Sequence, residues 1–229
     1  MTQADTDPFV VAIDGPSGSG KGSLASELAR TLGFHLLDSG AIYRLVAIKA
    51  LHAGLDLDDE RQIADIIEAL DIRFESREKL VTPFLDGQDV SSELRLERTG
   101  DAASRVAKHP RVRKGLLEFQ RSFFTAPGLV ADGRDMGTVV FPDARHKFYL
   151  YANAEIRAQR RYKQLINMGL SANIADLRED IAERDERDAN RASSPMQPAE
   201  DALFIDSSVL DLTQVFNLII EHVREGGNV

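Results

Sequence analysis

The chain has 229 residues, enough for one α/β domain with insertions and a sizeable core. It contains no cysteine, which excludes disulfides, zinc–thiolate sites and a cysteine nucleophile, and its net charge of −9 argues against a broad nucleic-acid-binding face. No apolar stretch approaches membrane-spanning length and the acidic start at residues 1–5 is not typical of a signal peptide, so we expect a cytoplasmic protein without membrane or nucleic-acid partners.

The first predicted elements are a strand, a glycine-rich loop and a helix. Residues 9–13 form an apolar run, and Leu24, Leu28 and Leu32 recur at helical spacing. Glycine lets backbone N–H groups turn toward phosphate oxygens, the helix N-terminus favours an anion, and Lys21 can reach the β- and γ-phosphates. The alternative is a glycine-rich surface turn. We call this segment the phosphate loop; it consists of Gly15, Pro16, Ser17, Gly18, Ser19, Gly20, Lys21, Gly22 and Ser23.

The residue after Lys21 distinguishes this loop from the usual pattern. Gly22 stands where a Ser or Thr commonly contacts Mg²⁺, and Ser23 is the nearest hydroxyl. The Gly-Lys-Gly-Ser sequence is similar to that of nucleoside monophosphate kinases. It resembles GTPases less, because their guanine-reading Asn-Lys-x-Asp is absent from the chain.

Beyond the loop, a second strand at residues 34–38 is followed by a helix over 41–51. Ser39, Tyr43 and Arg44 lie at the start of that helix, close to the expected ligand crevice. Ser39 is either a helix cap or a ligand contact, and Arg44 is either a solvated side chain or a phosphate contact.

The next stretch changes from helical to β-rich patterns. A helix is predicted over residues 58–70, followed by short strand-like runs between 72 and 90 with a hairpin signal at Asp86-Gly87. Because this β-rich patch interrupts the alternation of strands and helices, we interpret it as an insertion. Two helices follow, over 92–108 and 110–124, separated at His109-Pro110.

The α/β pattern then resumes to the end of the chain. Strands are predicted at residues 129–132, 147–151 and 202–206, and helices at 154–168, 173–190 and 210–224. Strands that alternate with helices predict a mostly parallel sheet covered by helices on both faces.

Two segments of this second half carry candidate chemistry. Asp132 ends an apolar strand, where a carboxylate can hold Mg²⁺ or its water shell; a loop or capping role is the alternative. Arg134 and Asp135 follow it at the edge where open parallel sheets bind ligands, as ligand contacts or as a local ion pair. Arg184, Asp188 and Arg191 recur at i, i+4 and i+7, which indicates either a solvated salt-bridge face or a lid that clamps phosphoryl groups.

Four motifs together resemble bacterial cytidylate kinase, over residues 8–220. The segment Asp-Gly-Arg-Asp-Met-Gly-Thr at 132–138 is specific to that family, whereas the phosphate loop alone is not. The motifs lie at residues 15–23, 37–44, 131–142 and 183–191.

The resemblance implies a P-loop kinase fold with a core, a small β-rich monophosphate-binding insert and a helical lid. The expected core covers residues 8–65, 106–155 and 192–229, the insert 66–105 and the lid 156–191. The resemblance further implies a role for each matching residue. Ser39, Arg44, Arg134, Arg184 and Arg191 surround phosphate groups; Ser104, Arg113 and Asp135 read cytosine; Tyr43 lines the base pocket; Asp188 holds the ribose hydroxyls; Lys21, Arg134, Arg184 and Arg191 act in catalysis; and Ser23 and Asp132 hold Mg²⁺.

The activity implied is transfer of the γ-phosphoryl group of ATP to CMP or dCMP, with Mg²⁺ as cofactor, by a monomer. One alternative is another small P-loop kinase that acts on a different monophosphate, such as UMP, or on a non-nucleotide alcohol. A nucleotide-binding regulator without turnover is a second alternative, although its loop lysine or clamp arginines would be expected to be missing, and this chain has both.

Overall fold

A computed structural model describes residues 7–77, 80–167, 169 and 171–226. The acidic stretch at residues 1–5 and the last residue of the helix predicted over 154–168 lie outside the described residues. In chain order the elements are β1 Phe9–Asp14, α1 Lys21–Leu32, β2 His35–Asp38, α2 Ser39–His52, α3 Glu60–Asp65, a 3₁₀ turn Ile67–Ala69, β3 Ile72–Arg77, β4 Leu80–Leu85, β5 Gln88–Asp89, α4 Ser91–Leu94, α5 Glu97–Val106, α6 Pro110–Arg121, β6 Gly128–Gly133, a π turn Met136–Val140, β7 His146–Tyr151, α7 Ala154–Asn167, α8 Ile174–Asn190, β8 Leu203–Asp206 and α9 Leu212–Glu225.

The chain forms two compact units, and the first contains residues 7–38, 121–190 and 194–226. Its centre is a five-stranded sheet in the order β2–β6–β1–β7–β8, with every neighbouring pair parallel. All six residues of β1 are buried, as an apolar run in the middle of a parallel sheet requires. The predicted parallel sheet flanked by helices is confirmed.

The core of the first unit lies between the sheet and two helices. Val11, Ile13 and Phe148 project from the strands and pack against Leu24 and Leu28 of α1 and against the apolar stripe of α9. The helix α1 ends at Gly33, whose positive φ of 69° is a conformation that glycine adopts without a steric penalty. This core therefore fixes the positions of strands β1 and β6, whose carboxyl ends carry site residues.

The second unit contains residues 39–77, 80–120 and 191–193. Strands β3, β4 and β5 form a separate antiparallel sheet, as the short strand-like runs of residues 72–90 and the hairpin signal at Asp86-Gly87 predict. Leu85 and Val90 from this sheet region pack against Leu45 and Ile48 of α2. The insert and lid boundaries expected from the resemblance stay predictions.

Two predicted helices are interrupted in the structure. The helix expected over 58–70 ends at Asp65 and continues as the 3₁₀ turn, with Ile67 packed over Gly115 of α6. The helix expected over 92–108 breaks at Leu96, which is extended (φ −69°, ψ 145°), while the Thr99 hydroxyl donates to the carbonyl of Glu93. Tertiary packing and side-chain capping override the helical periodicity at both places. Within the described ranges, no helix has the length and apolar character needed to span a membrane.

Candidate active site

The phosphate loop leaves β1 at Gly15 and enters α1 at Lys21. A Cβ on Gly15 would lie 2.1 Å from the carbonyl oxygen of Leu150, and Gly15 has a φ of 148°. Gly20, at the N-cap of α1, has a φ of 98° and a left-handed conformation. The loop therefore depends on glycine where it meets the neighbouring strand and where its backbone turns into the helix.

Lys21 is buried at the start of α1, with 7% of its surface exposed. Its Nζ donates to the carbonyl of Pro16 at 3.0 Å and lies 4.0 Å from Oδ1 of Asp132. Burial lowers the pKa of Lys21, and the nearby charges of Arg134 and Arg184 lower it further, against the opposing effect of Asp132. A cation in this position is poorly solvated, so an incoming phosphate would be a strongly stabilising partner for it.

Asp132, near the end of β6, lies beside the Lys21 ammonium. The side chain is buried, and its Oδ1 accepts no hydrogen bond from the part of the chain that the structure describes. Burial raises the pKa of Asp132, while the charge of Lys21 acts in the opposite direction. A buried carboxylate oxygen without a donor suits a divalent cation, and Mg²⁺ commonly uses one or two carboxylates together with substrate phosphates.

The described part of the chain holds no larger acidic cluster that would support a metal here. Among the described residues, no group of three or more His, Cys, Asp or Glu side chains is arranged to hold an ion. Ser23 is exposed on the first turn of α1, one residue after Gly22. The donor set thus fits an ion held mainly by phosphate and water, with Asp132 as the protein carboxylate.

Two arginines of the first unit converge on the same region. Arg134 Nε donates to Oδ2 of Asp188 on α8 at 3.1 Å. Burial tends to lower the pKa of Arg134, but the carboxylates of Asp188 and Asp132 outweigh it and hold that pKa above its ordinary value. Arg184 lies one turn before Asp188 on α8, and its charge reaches Lys21 electrostatically. Lys21, Arg134 and Arg184 thus concentrate positive charge within an acidic protein.

Asp135 follows Arg134 and is held by its flanking segments. It is 2% exposed, and its carbonyl accepts from the amides of Val139 at 2.9 Å and Val140 at 3.2 Å within the π turn. The buried carboxylate of Asp14, at the end of β1, accepts from the amides of Met136 and Gly137, both at 2.8 Å. Sequence reasoning did not single out Asp14.

The predicted residues of the second unit form a cluster of their own. The Arg113 guanidinium lies 5.3 Å from the ring centroid of Tyr43, and both side chains are buried. Arg113 Nη1 also donates to the carbonyl of Ala107 at 3.2 Å, and Ser104 is buried on α5, which packs against α2. An aromatic face beside a cation is an arrangement suited to a planar base.

Three other predicted contacts also belong to the second unit. Ser39 begins α2 and donates its hydroxyl to Oε1 of the buried Gln120 at 2.8 Å. Arg44 Nη1 donates to the carbonyl of Leu94. Arg191 is buried and follows directly after the last residue of α8, so the predicted helical face ends one residue before it.

The sequence did not predict the role of two arginines of α7 that donate hydrogen bonds to carbonyls of the phosphate loop. Arg157 is 3% exposed; it donates to the carbonyls of Ala152 and Ser17 and pairs through both Nη atoms with Asp185. Arg160 donates to the carbonyls of Ser19 and Ser207 at 3.1 Å and 2.6 Å. The only available signal was an arginine-rich helix, a pattern that is usually a solvated face.

A cavity of about 400 Å³ opens beside the phosphate loop in the first unit. Arg160, Ser207 and the side chains at the start of α9 surround it, and its lining is more apolar than polar. It is lined by Ser19, Gly20, Ser23, Leu150, Arg160, Ser207, Leu210, Asp211, Leu212 and Val215. Its size and mixed lining are typical of small-molecule sites.

The similarity to known proteins covers nearly the whole chain. The sequence model of the cytidylate kinase family matches residues 11–225. The chain is 52% identical over 217 residues to the cytidylate kinase of Shewanella denitrificans, covering 94% of this chain and 96% of that protein. It is 53% identical over 215 residues to the cytidylate kinase of Vibrio parahaemolyticus, covering 94% and 95%. It is 54% identical over 206 residues to the cytidylate kinase of Photobacterium profundum, covering 90% of each.

Proposed function

The chain belongs to the cytidylate kinase family, and on that premise we propose how its residues transfer the γ-phosphoryl group of ATP to CMP or dCMP. The products are ADP and CDP or dCDP. The observation that carries the residue assignment is the buried Lys21 of the phosphate loop, which lies beside Asp132 and within the field of two arginines. A site with that charge pattern stabilises negative charge on a transferring phosphoryl group.

The donor phosphates bind to the phosphate loop in this proposal. Gly15 and residues 17–20 offer backbone N–H groups, and the N-terminus of α1 points its positive end at the same anion. Lys21 Nζ is already directed into the loop by its hydrogen bond to Pro16, so it needs little reorganisation to reach phosphate oxygens. Arg157 and Arg160 act as positioning residues, because they hold loop carbonyls on the outer side.

The donor nucleoside occupies the cavity of about 400 Å³ beside the loop. Arg160 provides a flat cationic face there, and Leu210, Leu212 and Val215 provide apolar contact. A purine offers both a π face and an apolar edge, which is the chemistry that this lining favours.

Mg²⁺ is the cofactor of this proposal, with ATP. Asp132 would hold it through the oxygen that accepts no hydrogen bond from the described residues, and the Ser23 hydroxyl would contribute where Gly22 cannot. When bound, the ion neutralises charge on the β- and γ-phosphates. Asp132 also restrains Lys21 electrostatically, so one carboxylate serves the cation and the lysine.

The acceptor roles follow from the family resemblance and from chemistry at each position. Asp135 accepts from the amino group of cytosine, Arg113 and Ser104 complete the base contacts, and Tyr43 provides the flat face beside Arg113. Asp188 holds the ribose hydroxyls. The groups assigned to phosphate are Ser39, Arg44, Arg134, Arg184 and Arg191, of which Arg134, Arg184 and Arg191 act with Lys21 in catalysis.

No general base is required for this transfer. The attacking oxygen belongs to the 5′-phosphate of CMP, which is largely dianionic at pH 7 because its second pKa is roughly 6. The protein must overcome repulsion between two anions, align them and exclude water, which would otherwise hydrolyse ATP. We assign the exclusion of water to a lid of residues 156–191 and monophosphate binding to the insert of residues 66–105.

We further propose that the protein works as a monomer in the cytoplasm, where its nucleotide substrates are made. Its net charge of −9 agrees with small anionic substrates bound at a local cationic cluster and not with nucleic acid.

A nucleotide screen tests the proposed function. ADP release would be measured by a coupled assay with ATP, Mg²⁺ and each of CMP, dCMP, UMP, AMP and GMP, and with no monophosphate to measure background hydrolysis. We expect the highest kcat/KM with CMP and dCMP. A higher kcat/KM with UMP, or release that does not depend on an acceptor, would contradict the assignment.

A further inference from the structure

Asp14 is a buried carboxylate to which neither the resemblance nor the phosphate loop assigns a role. It ends β1, stands directly before Gly15 and is 3% exposed. A buried carboxylate is costly unless hydrogen bonds satisfy both of its oxygens. Here Oδ1 accepts from Met136 N and Oδ2 accepts from Gly137 N, each at 2.8 Å.

These two bonds fix the position of one dipeptide. In the parallel sheet Asp14 pairs through its backbone with Gly133, the last residue of β6. Its side chain binds Met136 and Gly137, the first two residues of the π turn. Only Arg134 and Asp135 lie between these two attachments, so a single residue determines both ends of the segment that carries them.

Packing makes this segment rigid in other respects. Met136 is fully buried, and a Cβ on Gly133 would lie 2.7 Å from its Cε, so the Met136 side chain folds back over the end of β6. The amide of Phe141 donates to the carbonyl of Met136 at 2.7 Å and closes the turn. The direction in which the Asp135 side chain leaves the backbone therefore depends on where the carboxylate of Asp14 holds the turn.

We propose that Asp14 is a positioning residue for base selectivity: it holds the π turn so that Asp135 meets the amino edge of cytosine. This inference rests on the proposed role of Asp135. It also gives a function to a carboxylate at an unfavourable position. Burial raises the pKa of Asp14 to about 7, against the lowering effect of the Gly137 and Met136 amides, so an ionised side chain at pH 8 works against folding.

The direct test is Asp14→Asn, which keeps the size of the side chain. The amide retains one acceptor oxygen, but its NH₂ group then faces a backbone N–H, so the turn loses one of its two bonds. Because a displacement of about 1 Å in a positioned group can cost about 100-fold in rate, we expect kcat/KM for CMP to fall by about that factor. The value for UMP should fall only through Arg134, which the same segment carries, whereas the value for CMP falls through both Arg134 and Asp135. The CMP/UMP ratio should therefore fall by roughly tenfold.

Two further variants separate positioning from a general structural effect. Asp206→Asn is the matched control: Asp206 also ends a strand, β8, but is exposed and accepts from Ser208 N at 2.8 Å. It should leave the CMP/UMP ratio unchanged. Thermal unfolding at pH 8 should show Asp14→Asn at least as stable as the wild type, because the buried charge is gone. If Asp14→Asn does not fold, Asp14→Ser, which keeps one acceptor, takes its place.

A double-mutant cycle with Asp135→Ala identifies the route. If Asp14 acts through Asp135, Asp14→Asn should lower the ratio in the wild-type background and leave it unchanged in the Asp135→Ala background. Additive effects of the two substitutions on the ratio would overturn the inference. So would a folded Asp14→Asn variant whose ratio stays within twofold of wild type although Asp135→Ala lowers it. Either result would leave the proposed function standing. An unchanged ratio in Asp135→Ala alone would overturn the proposed role of Asp135 and this inference with it.

Discussion

Replacing Lys21 by Met separates catalysis from folding at the centre of the site. The substitution removes the ammonium and keeps a linear apolar stem in a position that is 7% exposed. In the free protein it deletes the hydrogen bond to Pro16 and the cation 4.0 Å from Asp132. In the nucleotide complex the substitution would remove the buried cation that we expect to bind the phosphates. Because that cation is poorly solvated, its interaction with phosphate is strong.

The stability and activity effects should differ widely. Losing one hydrogen bond costs about 1 kcal/mol, and removing a cation whose burial lowers its pKa offsets part of that, so Tm should stay within about 4 °C of wild type. One preorganised donor in a dry site contributes about 10²–10³ in kcat, and a full charge on the transferring group contributes at least as much. We expect kcat to fall by about 10³-fold or more, equivalent to ~4 kcal/mol.

The assay is coupled ADP release with saturating ATP and CMP, alongside thermal unfolding of the same preparation. Lys49→Met serves as the control, because Lys49 forms an ion pair with Asp86 in the second unit and has no proposed role in the reaction. It should retain wild-type kcat. A folded Lys21→Met variant with near-normal kcat would refute the assignment of the phosphate loop.

Four other substitutions test the remaining roles. Arg184→Ala and Arg191→Ala should lower kcat more than they weaken CMP binding by calorimetry, because clamp arginines stabilise charge that develops on transfer; unchanged rates and binding would leave them as a solvated face. Asp188→Ala should lower kcat/KM more for CMP than for dCMP if its carboxylate reaches the 2′-hydroxyl; an equal loss would restrict it to the 3′-hydroxyl or to its ion pair with Arg134, 3.1 Å away. Asp135→Ala should lower kcat/KM for CMP far more than for UMP, since uracil offers no amino donor to an ionised carboxylate; a wild-type ratio would reassign Asp135 to orienting Arg134.

The sequence predicts the parallel sheet and the phosphate loop because their signals are local. An apolar strand, glycines at positions of positive φ and a lysine at a helix start lie within about twenty residues of one another. The antiparallel sheet of the second unit is also predicted correctly, through the turn signal at Asp86-Gly87. Each of these features depends on neighbours along the chain, not on distant packing.

The support beneath the loop is not local and could not be predicted in the same way. Arg157 lies 140 residues from Ser17, whose carbonyl accepts its hydrogen bond, and 28 residues from Asp185. In sequence it is one of several charged residues on an amphipathic helix, and most such residues are solvated. Only the fold distinguishes a buried arginine with several partners from its exposed neighbours on α7.

Three aspartates at strand ends show in the same way that local sequence does not predict the role of a side chain. Asp14, Asp132 and Asp206 each follow an apolar run near a strand end, so their local patterns are nearly identical. In the sheet, β1 and β6 are flanked on both sides, whereas β8 is an edge strand. Burial raises the pKa of Asp14 and of Asp132, while hydrogen bonds from Ser208 lower that of the exposed Asp206.

The lateral neighbours then decide what each carboxylate does. The amides of the π turn bind Asp14, Lys21 lies beside Asp132, and Asp206 caps a loop at the surface. The sequence around Asp132 carries a family motif, but no local pattern marks Asp14, because the amides that bind its carboxylate lie on a distant segment of the chain. The parallel order β6–β1–β7 places the end of β1 beside the turn that follows β6, and among the described residues Asp14 is the one of these three aspartates whose carboxylate accepts from two amides of that turn. Strand order therefore distinguishes the carboxylate for which we propose a positioning role from the one for which we propose Mg²⁺ binding.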